Sequence, residues 1–387
     1  MAFDFIQPAL SERKQQSLFR QHHVVVESHD GMINVDGKAY LNFASNDYLG
    51  LSQHPQVLQA WVEGLAKYGA GSGASPLVTG YTAAHQSLSD KLAELVERQQ
   101  VLLFSSGFAA NHALCQALFE NGGEIFADKL SHASIIEGGL HSNATMKRFK
   151  HNDSAHLHQL LVKRERSVNA RLIVTEGVFS MDGDRGHVSA LSSIAEQHDS
   201  WLMVDDAHGF GVFGQHGQGI AASNANQTQC QVLMATLGKA CGIGGAFIAG
   251  SADLIAYLQN FARHYVYSTA MPPAQAYAAI TAIELIKQGE TRKILHANIA
   301  HFHQRMQAEG FALEDSDSAI QPLIVGSPEA TLKMADKLKQ LGIWVGAMRY
   351  PTVPKHTDRL RITLSALHQP SDIDALVDAL SLAREAQ

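Results

Sequence analysis

The amino-acid sequence predicts an α/β protein: a large domain with a mostly parallel sheet covered by helices, followed by a smaller α+β domain. Three observations predict it. Through the middle of the chain, short apolar runs alternate with longer amphipathic helical patterns, as strands and helices stacked in layers do. Near residue 287 that order changes. The chain has 387 residues, 45% of them hydrophobic, which suits a large domain with a smaller companion and is too much for one small module.

Residues 1–48 read as an arm. A short helix is expected to start at Ser11 with Glu12 in its first turn, and "HVVVESHDGMINVDGKAYLNF" follows as a strand, an Asp36-Gly37 turn and a second strand. Residues 49–287 form the large domain. Its apolar runs are "VLLFSSG" (101–107), "EIFAD" (124–128), "RLIVTEG" (171–177), "WLMVDDAHG" (201–209), "QVLMATLGK" (231–239) and "GAFIAG" (245–250). Between them, segments such as "HQSLSDKLAELVERQ" and "SALSSIAEQHD" repeat apolar residues at spacings of three and four, the period of a helix with one buried face. That alternation implies parallel strands joined by covering helices. Residues 288–387 run helix, strand "AIQPLIVG", helix "PEATLKMADKLKQLG", strands "IWVGAMRY" and "RLRITLSA", and a last helix expected to be capped at Ser371. There is no internal repeat and no low-complexity linker.

Composition narrows the functional classes. Thirty Lys+Arg against 37 Asp+Glu give a net charge of −7, which argues against a general nucleic-acid binder. An anionic ligand must then be held by local donors. Cys115, Cys230 and Cys241 are odd in number and widely spaced, which fits a reducing compartment better than a disulfide framework. The start, "MAFDFIQPALSERKQQ", lacks a basic stretch followed by an apolar one, and no uncharged apolar run reaches about 18 residues. The expectation is a soluble, cytoplasmic protein with no membrane partner.

One lysine stands apart. Lys239 is the only formally charged residue among the 46 positions between Asp206 and Asp253, in a chain whose charged fraction is 17%. Burial would depress its pKa, whereas a lysine snorkelling out of a glycine-rich loop would keep an ordinary one; the segment by itself allows both. In open α/β sheets ligands bind beyond the carboxyl ends of the strands, so the residues after each run are the candidates. They are Gly107, opening a helix whose free N–H groups suit an anion; Glu176 and Ser180; Asp205, Asp206 and His208; and Thr236 with Lys239. Taken singly, Asp205 is more often a turn or cap residue and His208 a loop histidine.

Competing motifs fall away on context. "GFGVFG" (209–214) matches a dinucleotide fingerprint by letters, but Asp-Asp-Ala-His precedes it and the next acid is Asp253, where a strand-to-helix turn and an acid about 20 positions on are required. "GSGASPLVTG" lacks the Gly-Lys-Ser/Thr of a phosphate-binding loop. The 21 histidines include "HLH" (156–158) and "HFH" (301–303), yet residues two apart do not share a helix face and no acid or cysteine falls at ligand spacing. Solvated histidines, and no metal site, are expected. A strand-end aspartate, a histidine three residues later and a desolvated lysine beside a hydroxyl suit pyridoxal phosphate. That cofactor needs a Schiff-base lysine, a carboxylate to keep its ring nitrogen protonated, and a helix N-terminus for its phosphate.

At this point a resemblance becomes specific. "LNFASNDYLGL", "GSGASPLVTGY", "FSSGFAANHA", "DKLSHASIIEG", "TEGVFSMDGD", "VDDAHGFGVFG", "TLGKACGIGGA", "YSTAMPPA" and "YPTVPKHTDRLRITLSA" together resemble the α-oxoamine synthases, fold-type I pyridoxal phosphate enzymes that join an amino acid to an acyl thioester with loss of CO2. The match runs from about residue 40 to the C-terminal region. "SAIQPLIVG" (318–326), "FARHYVYSTAMPPAQA" (261–276) and "SLFR" in the arm are similar to the members that use L-alanine and a pimeloyl thioester on the route to biotin. Arg349-Tyr350-Pro351 departs from the Arg-Pro-Pro common there and is more like glycine-using relatives. The resemblance implies that Lys239 is the Schiff-base lysine, that Asp205 pairs with the ring nitrogen, that His208 bonds the ring hydroxyl and that His132 stacks on the ring. It implies further that Ser180 contacts the cofactor, that Gly107, Phe108 and Thr236 hold the phosphate, and that Ser268 and Thr269 reach the phosphate of the other subunit of a homodimer. Arg20, Asn46, His132, Thr352 and Arg361 match substrate contacts. For Arg361 the plain alternative is a solvent-facing strand residue, and for Arg20 an exposed helix-end one. The glycines beside Lys239 are expected to let a flat ring approach the backbone. Relatives that use other amino acids, and fold-type I aminotransferases, are the rival readings.

Overall fold

The structure, a computed structural model, describes residues 2–163 and 170–385. Its strands are β1 (Val25–His29), β2 (Met32–Val35), β3 (Lys38–Phe43), β4 (Gln100–Phe104), β5 (Gly123–Asp128), β6 (Ala144–Phe149) and β7 (Arg171–Glu176). They continue with β8 (Trp201–Asp205), β9 (Val232–Thr236), β10 (Ala246–Gly250), β11 (Ile320–Ile324), β12 (Ile343–Met348) and β13 (Arg359–Thr363). Two compact units emerge: residues 1–46, 181–183 and 294–387 form one, and residues 47–180 with 184–293 the other.

The unit of residues 47–180 and 184–293 is built on a seven-stranded sheet in the order β4-β10-β9-β8-β7-β5-β6. Strands β9, β8, β7, β5 and β6 are parallel and β10 is antiparallel to both neighbours, so the mostly parallel sheet read from the sequence is the one observed. Only residues 237–245 connect β9 to β10. That is too short for the crossover parallel neighbours need, so the chain must fold back. Phe104, Ile125, Val174, Met203, Met234 and Ile248 from the strands pack with Leu114 and Ile135 from the covering helices into one apolar core. Each such buried side chain contributes about 1.5–3 kcal/mol relative to exposure. With the parallel strands held in this way, Asp128, Glu176, Asp205 and Thr236 become the last residues of β5, β7, β8 and β9. They stand where α/β sheets carry their ligands.

The other unit joins strands from both ends of the chain in the order β1-β2-β3-β12-β13-β11, with β3 and β12 parallel and every other pair antiparallel. The arm reads differently from expectation in two places. A second tight turn, Asp30-Gly31, precedes Asp36-Gly37, and all four residues have positive φ, so three strands form where two were expected. Its helix spans Ile6–Gln15 and so begins before Ser11, because Pro8 falls in the first turn, where a missing N–H costs nothing. The last helix likewise starts at Pro370, which places Ser371 inside its first turn rather than at the cap. Among the described residues no helix is long and apolar enough to cross a membrane. All three cysteines are buried thiols, and burial pushes Cys115 up to about 12 and Cys230 to about 11.

Candidate active site

A cleft of about 200 Å³ opens at the ends of β7, β8 and β9, lined by Gly107, Phe108, Asn111, His132, Ser134, Glu176, Asp205, Ala207, His208, Met234, Thr236 and Lys239. Of the predicted residues, Lys239, Asp205, His208, His132, Gly107, Phe108 and Thr236 therefore meet in one place. Lys239 Nζ lies 2.8 Å from His208 Nε2, and His208 Nδ1 lies 2.6 Å from the hydroxyl of the buried Tyr48. This row of three accommodates both states of the amine. An ammonium donates to Nε2 while Nδ1–H donates to the tyrosine oxygen; a neutral amine accepts from Nε2–H while the tyrosine hydroxyl donates to Nδ1. Lys239 thus points into the cleft toward an imidazole that can accept from it or donate to it.

Asp205 is held on both oxygens. Oδ2 accepts from Asn111 Nδ2 at 2.8 Å and Oδ1 from the Ala207 N–H at 3.1 Å. Its neighbour in the cleft, Glu176, accepts the His132 N–H at 2.6 Å, and burial, followed by the charge of Asp205, raises its carboxyl well above the usual range. Burial thus favours the neutral form of Glu176 beside Asp205. Burial lowers the His132 imidazole, an effect that Asp205 opposes and Lys239 reinforces. His132 also caps the helix Ala133–Leu140, its Nδ1 accepting the Ser134 N–H at 3.3 Å.

The helix Gly107–Leu118 begins at the end of β4 with Ser106 as its cap. Ser106 Oγ takes the N–H of Ala109 and its carbonyl that of Ala110, so among the described residues the Gly107 and Phe108 N–H groups lie outside the helix's own bonding. Thr236 Oγ1 donates to the Gly245 carbonyl at 2.8 Å and accepts the Gly238 N–H at 3.1 Å. The glycines after Lys239 serve the turn more than the cleft. Gly242, Gly244 and Gly245 have positive φ, and a Cβ on Gly242 would stand 2.3 Å from the Ser52 nitrogen.

The remaining predicted residues lie elsewhere. Ser180, in the loop after β7, is half-buried and is not among the residues lining this cleft. Ser268 and Thr269 line a different, small cavity with Tyr81, His85 and Tyr265. In the unit containing both chain ends, Arg361 is buried, so the solvent-facing alternative does not hold; its Nη1 donates to Asn46 Oδ1 at 3.2 Å and to Thr363 Oγ1 at 3.0 Å. Arg20 is exposed and donates to Thr352 Oγ1 at 3.3 Å. The histidine pairs are less solvated than expected: His301 bonds Asp374 and His303 bonds Gln321, both at 2.9 Å. Sequence reasoning missed the roles of Tyr48, Asn111 and Ser134. Asn111 carried a signal, since it shares the buried face of its helix with Leu114 and Cys115 and is a polar residue on an apolar stripe.

The donor set fits pyridoxal phosphate: an amine for its aldehyde, a carboxylate for its ring nitrogen, an imidazole beside each, and a helix N-terminus for its phosphate. Fold and cleft together define a fold-type I pyridoxal phosphate enzyme. The family model described as aminotransferase class I and II matches residues 38–380. The 8-amino-7-oxononanoate synthase of Aeromonas hydrophila is 49% identical over 374 residues, 96% of this chain and 93% of that protein. The one of Sodalis glossinidius is 46% identical over 377 residues, 97% and 96%. Among solved structures, serine palmitoyltransferase from Sphingomonas wittichii superposes with a TM-score of 0.94 at 26% identity, covering 100% of this chain and 98% of that one. The 8-amino-7-oxononanoate synthase from Francisella tularensis gives 0.77 at 32% identity, covering 90% and 98%. The chain therefore belongs to the class I and II aminotransferase family and, within it, to the family of the 8-amino-7-oxononanoate synthases.

Proposed function

We propose that the protein condenses L-alanine with a pimeloyl thioester, releasing CO2 and the free thiol carrier and giving 8-amino-7-oxononanoate for biotin biosynthesis. The observation that carries this reading is the cleft in which Lys239 Nζ faces His208 at 2.8 Å beside Asp205, His132 and the N-terminus of the helix Gly107–Leu118. The 49% identity to the Aeromonas hydrophila synthase supports the choice of substrates.

When bound, pyridoxal phosphate supplies an aldehyde that condenses with amines and a ring that takes up the electron pair released at Cα. Lys239 would hold it and would take the Cα proton of the amino acid and later return it; the Tyr48–His208 row permits the neutral amine this requires. Asp205, fixed by Asn111 and the Ala207 N–H, holds a proton at the ring nitrogen. His208 bonds the ring hydroxyl and Ser180 adds a further contact. The Gly107 and Phe108 N–H groups and Thr236 receive the phosphate. His132 stacks on the ring and donates toward the developing oxyanion of the thioester. Arg361 with Asn46 takes the amino-acid carboxylate, for which its fork is suited, and Arg20 and Thr352 contact substrate. The protein works in the cytoplasm as a homodimer in which Ser268 and Thr269 reach the neighbouring subunit's phosphate.

Thiol release tests the reading. Alanine, glycine or serine is incubated with pimeloyl, acetyl, succinyl or palmitoyl thioesters, and turnover of the pimeloyl thioester with alanine is expected. Turnover of acetyl thioester with glycine, and none with alanine and pimeloyl thioester, overturns it. Amino-group exchange without thiol release would place the protein among the aminotransferases instead.

A further inference from the structure

We infer that Asn111 and Ser134 are positioning residues that hold the neutral His132 imidazole as its Nε2–H tautomer, so that the ring meets the reacting groups as a hydrogen-bond donor and not as a base. The inference rests on the reading of Asp205 and His132 given above and extends it to two residues that touch neither alanine nor thioester in that reading.

One chain of contacts fixes where the protons lie. Asn111 is fully buried and its Nδ2 lies 2.8 Å from Asp205 Oδ2 and 2.9 Å from Ser134 Oγ. A carboxylate has no proton to give, so it is the amide's NH2 end that faces Asp205, and the two hydrogens of that end serve Asp205 and Ser134. An amide nitrogen donates only, so Ser134 Oγ is the acceptor of that bond and its own hydrogen is free for His132 Nδ1, 2.7 Å away. The alternative, Nδ1–H donating to Ser134 Oγ, is closed by the helix cap. The Ser134 backbone N–H points at the same Nδ1 from 3.3 Å, and a protonated Nδ1 would set two hydrogens face to face. Nδ1 is therefore the acceptor and the single ring proton sits on Nε2, for which no hydrogen-bond partner is found among the described residues. Burial, the main cause that lowers the His132 imidazole, favours the neutral ring. A ring fixed in this way offers an N–H to an oxyanion but cannot remove the Cα proton. That task is left to Lys239.

The test reads the tautomer directly. Holoenzyme labelled with 15N-histidine is examined by two-bond 1H–15N NMR at pH 7.5, with His132→Gln identifying the resonance. An unprotonated Nδ1 and a protonated Nε2 are expected; the reverse pattern, or protonation of both nitrogens, overturns the inference. In Ser134→Ala and Asn111→Leu the two nitrogen signals should move toward each other as the tautomers mix. In both variants kcat should fall about tenfold or more while KM for alanine stays within about twofold. Ser134→Thr keeps the hydroxyl and should restore the wild-type pattern. Unchanged nitrogen signals in both deletion variants refute the positioning role, and if those variants fail to fold the wild-type spectrum still decides the tautomer. The measurement needs no turnover, so it fails or succeeds independently of the substrate assignment.

Discussion

Asp206 gives the sharpest quantitative test of the packing around the site. It follows Asp205 in the chain but is fully buried, and a Cβ on Gly177, Gly209 or Gly219 would come within 2.0, 2.1 and 2.2 Å of its oxygens. The carboxyl thus fills a socket that only glycines can wall. Its Oδ2 accepts the Ala221 N–H at 2.9 Å, while Oδ1 has no partner among the described residues. Burial is the main cause that raises it from 3.8 to about 7, the Ala221 bond opposes the rise and Asp205 adds to it. The unfolded chain releases this proton near 3.8 and the folded one near 7, so the stabilising contribution is complete below 3.8 and is lost as pH climbs to 7. Over the full range that is about 4 kcal/mol, and between pH 5 and 8 about 2–3 kcal/mol. Asp206→Asn is neutral throughout and should lack this loss, although its buried NH2 costs about 1–3 kcal/mol at every pH. Urea unfolding of both proteins at pH 5 and pH 8 isolates the effect, because other titrating groups cancel in the comparison. The variant should gain about 2–3 kcal/mol on the wild type from pH 5 to pH 8. Parallel pH profiles for the two proteins would refute a protonated Asp206.

Four further outcomes are expected. Purified wild-type protein should be yellow and Lys239→Ala should lose the visible band, as an absorption spectrum will show; a colourless wild type that takes up no pyridoxal phosphate would remove the basis of the active-site reading. His151 bridges Asp128 at 3.0 Å and Asp184 at 2.8 Å, and although burial opposes its charge these bonds outweigh it and push the imidazole up to about 10. Its contribution is complete below about 6.5 and lost toward 10, so His151→Ala should cost more stability at pH 6 than at pH 10 in thermal melts. Gly64 lies where the helix Pro55–Tyr68 meets Pro273–Gln288, and an added Cβ would stand 2.8 Å from Ala274 Cα; Gly64→Ala should destabilise by about 1–3 kcal/mol in the same urea assay. Arg361→Lys, which gives up the planar fork, should raise KM for alanine more than it lowers kcat in steady-state kinetics.

The large sheet was legible because six of its seven strands are almost wholly buried and read as unbroken apolar runs. β6 was not. Its sequence, Ala-Thr-Met-Lys-Arg-Phe, belongs to an edge strand with one neighbour, where Lys147 and Arg148 are tolerated and the apolar signal disappears. The pairing of β3 with β12 was equally hidden, since Leu41 and Ile343 lie opposite each other across some 300 residues of chain and no local pattern encodes such a partner. The arm's additional turn was legible in principle: Asp30-Gly31 carries the same signal as Asp36-Gly37, six residues earlier.

In the site, residue types were readable and their wiring was not. Strand ends mark Glu176, Asp205 and Thr236, and an absence of charge marks Lys239, because both features are local in sequence. The adjacent pair Asp205-Asp206 shows where such reading stops. Two identical letters at the end of β8 carry no sign of which one faces the cleft. Alternation along an extended chain sends successive side chains to opposite sides, so only one of the two can face the ligand. Asp205 reaches Asn111 in the cleft, whereas Asp206 enters the socket walled by Gly177, Gly209 and Gly219. The environments then separate the two chemically. Asp205 is met by the Asn111 amide and the Ala207 N–H, whereas Asp206 is met by backbone N–H groups alone, and desolvation outweighs them. A carboxyl that faces the cleft thus sits beside one whose neutral form burial favours. Exchanging their surroundings, not their letters, would exchange their roles.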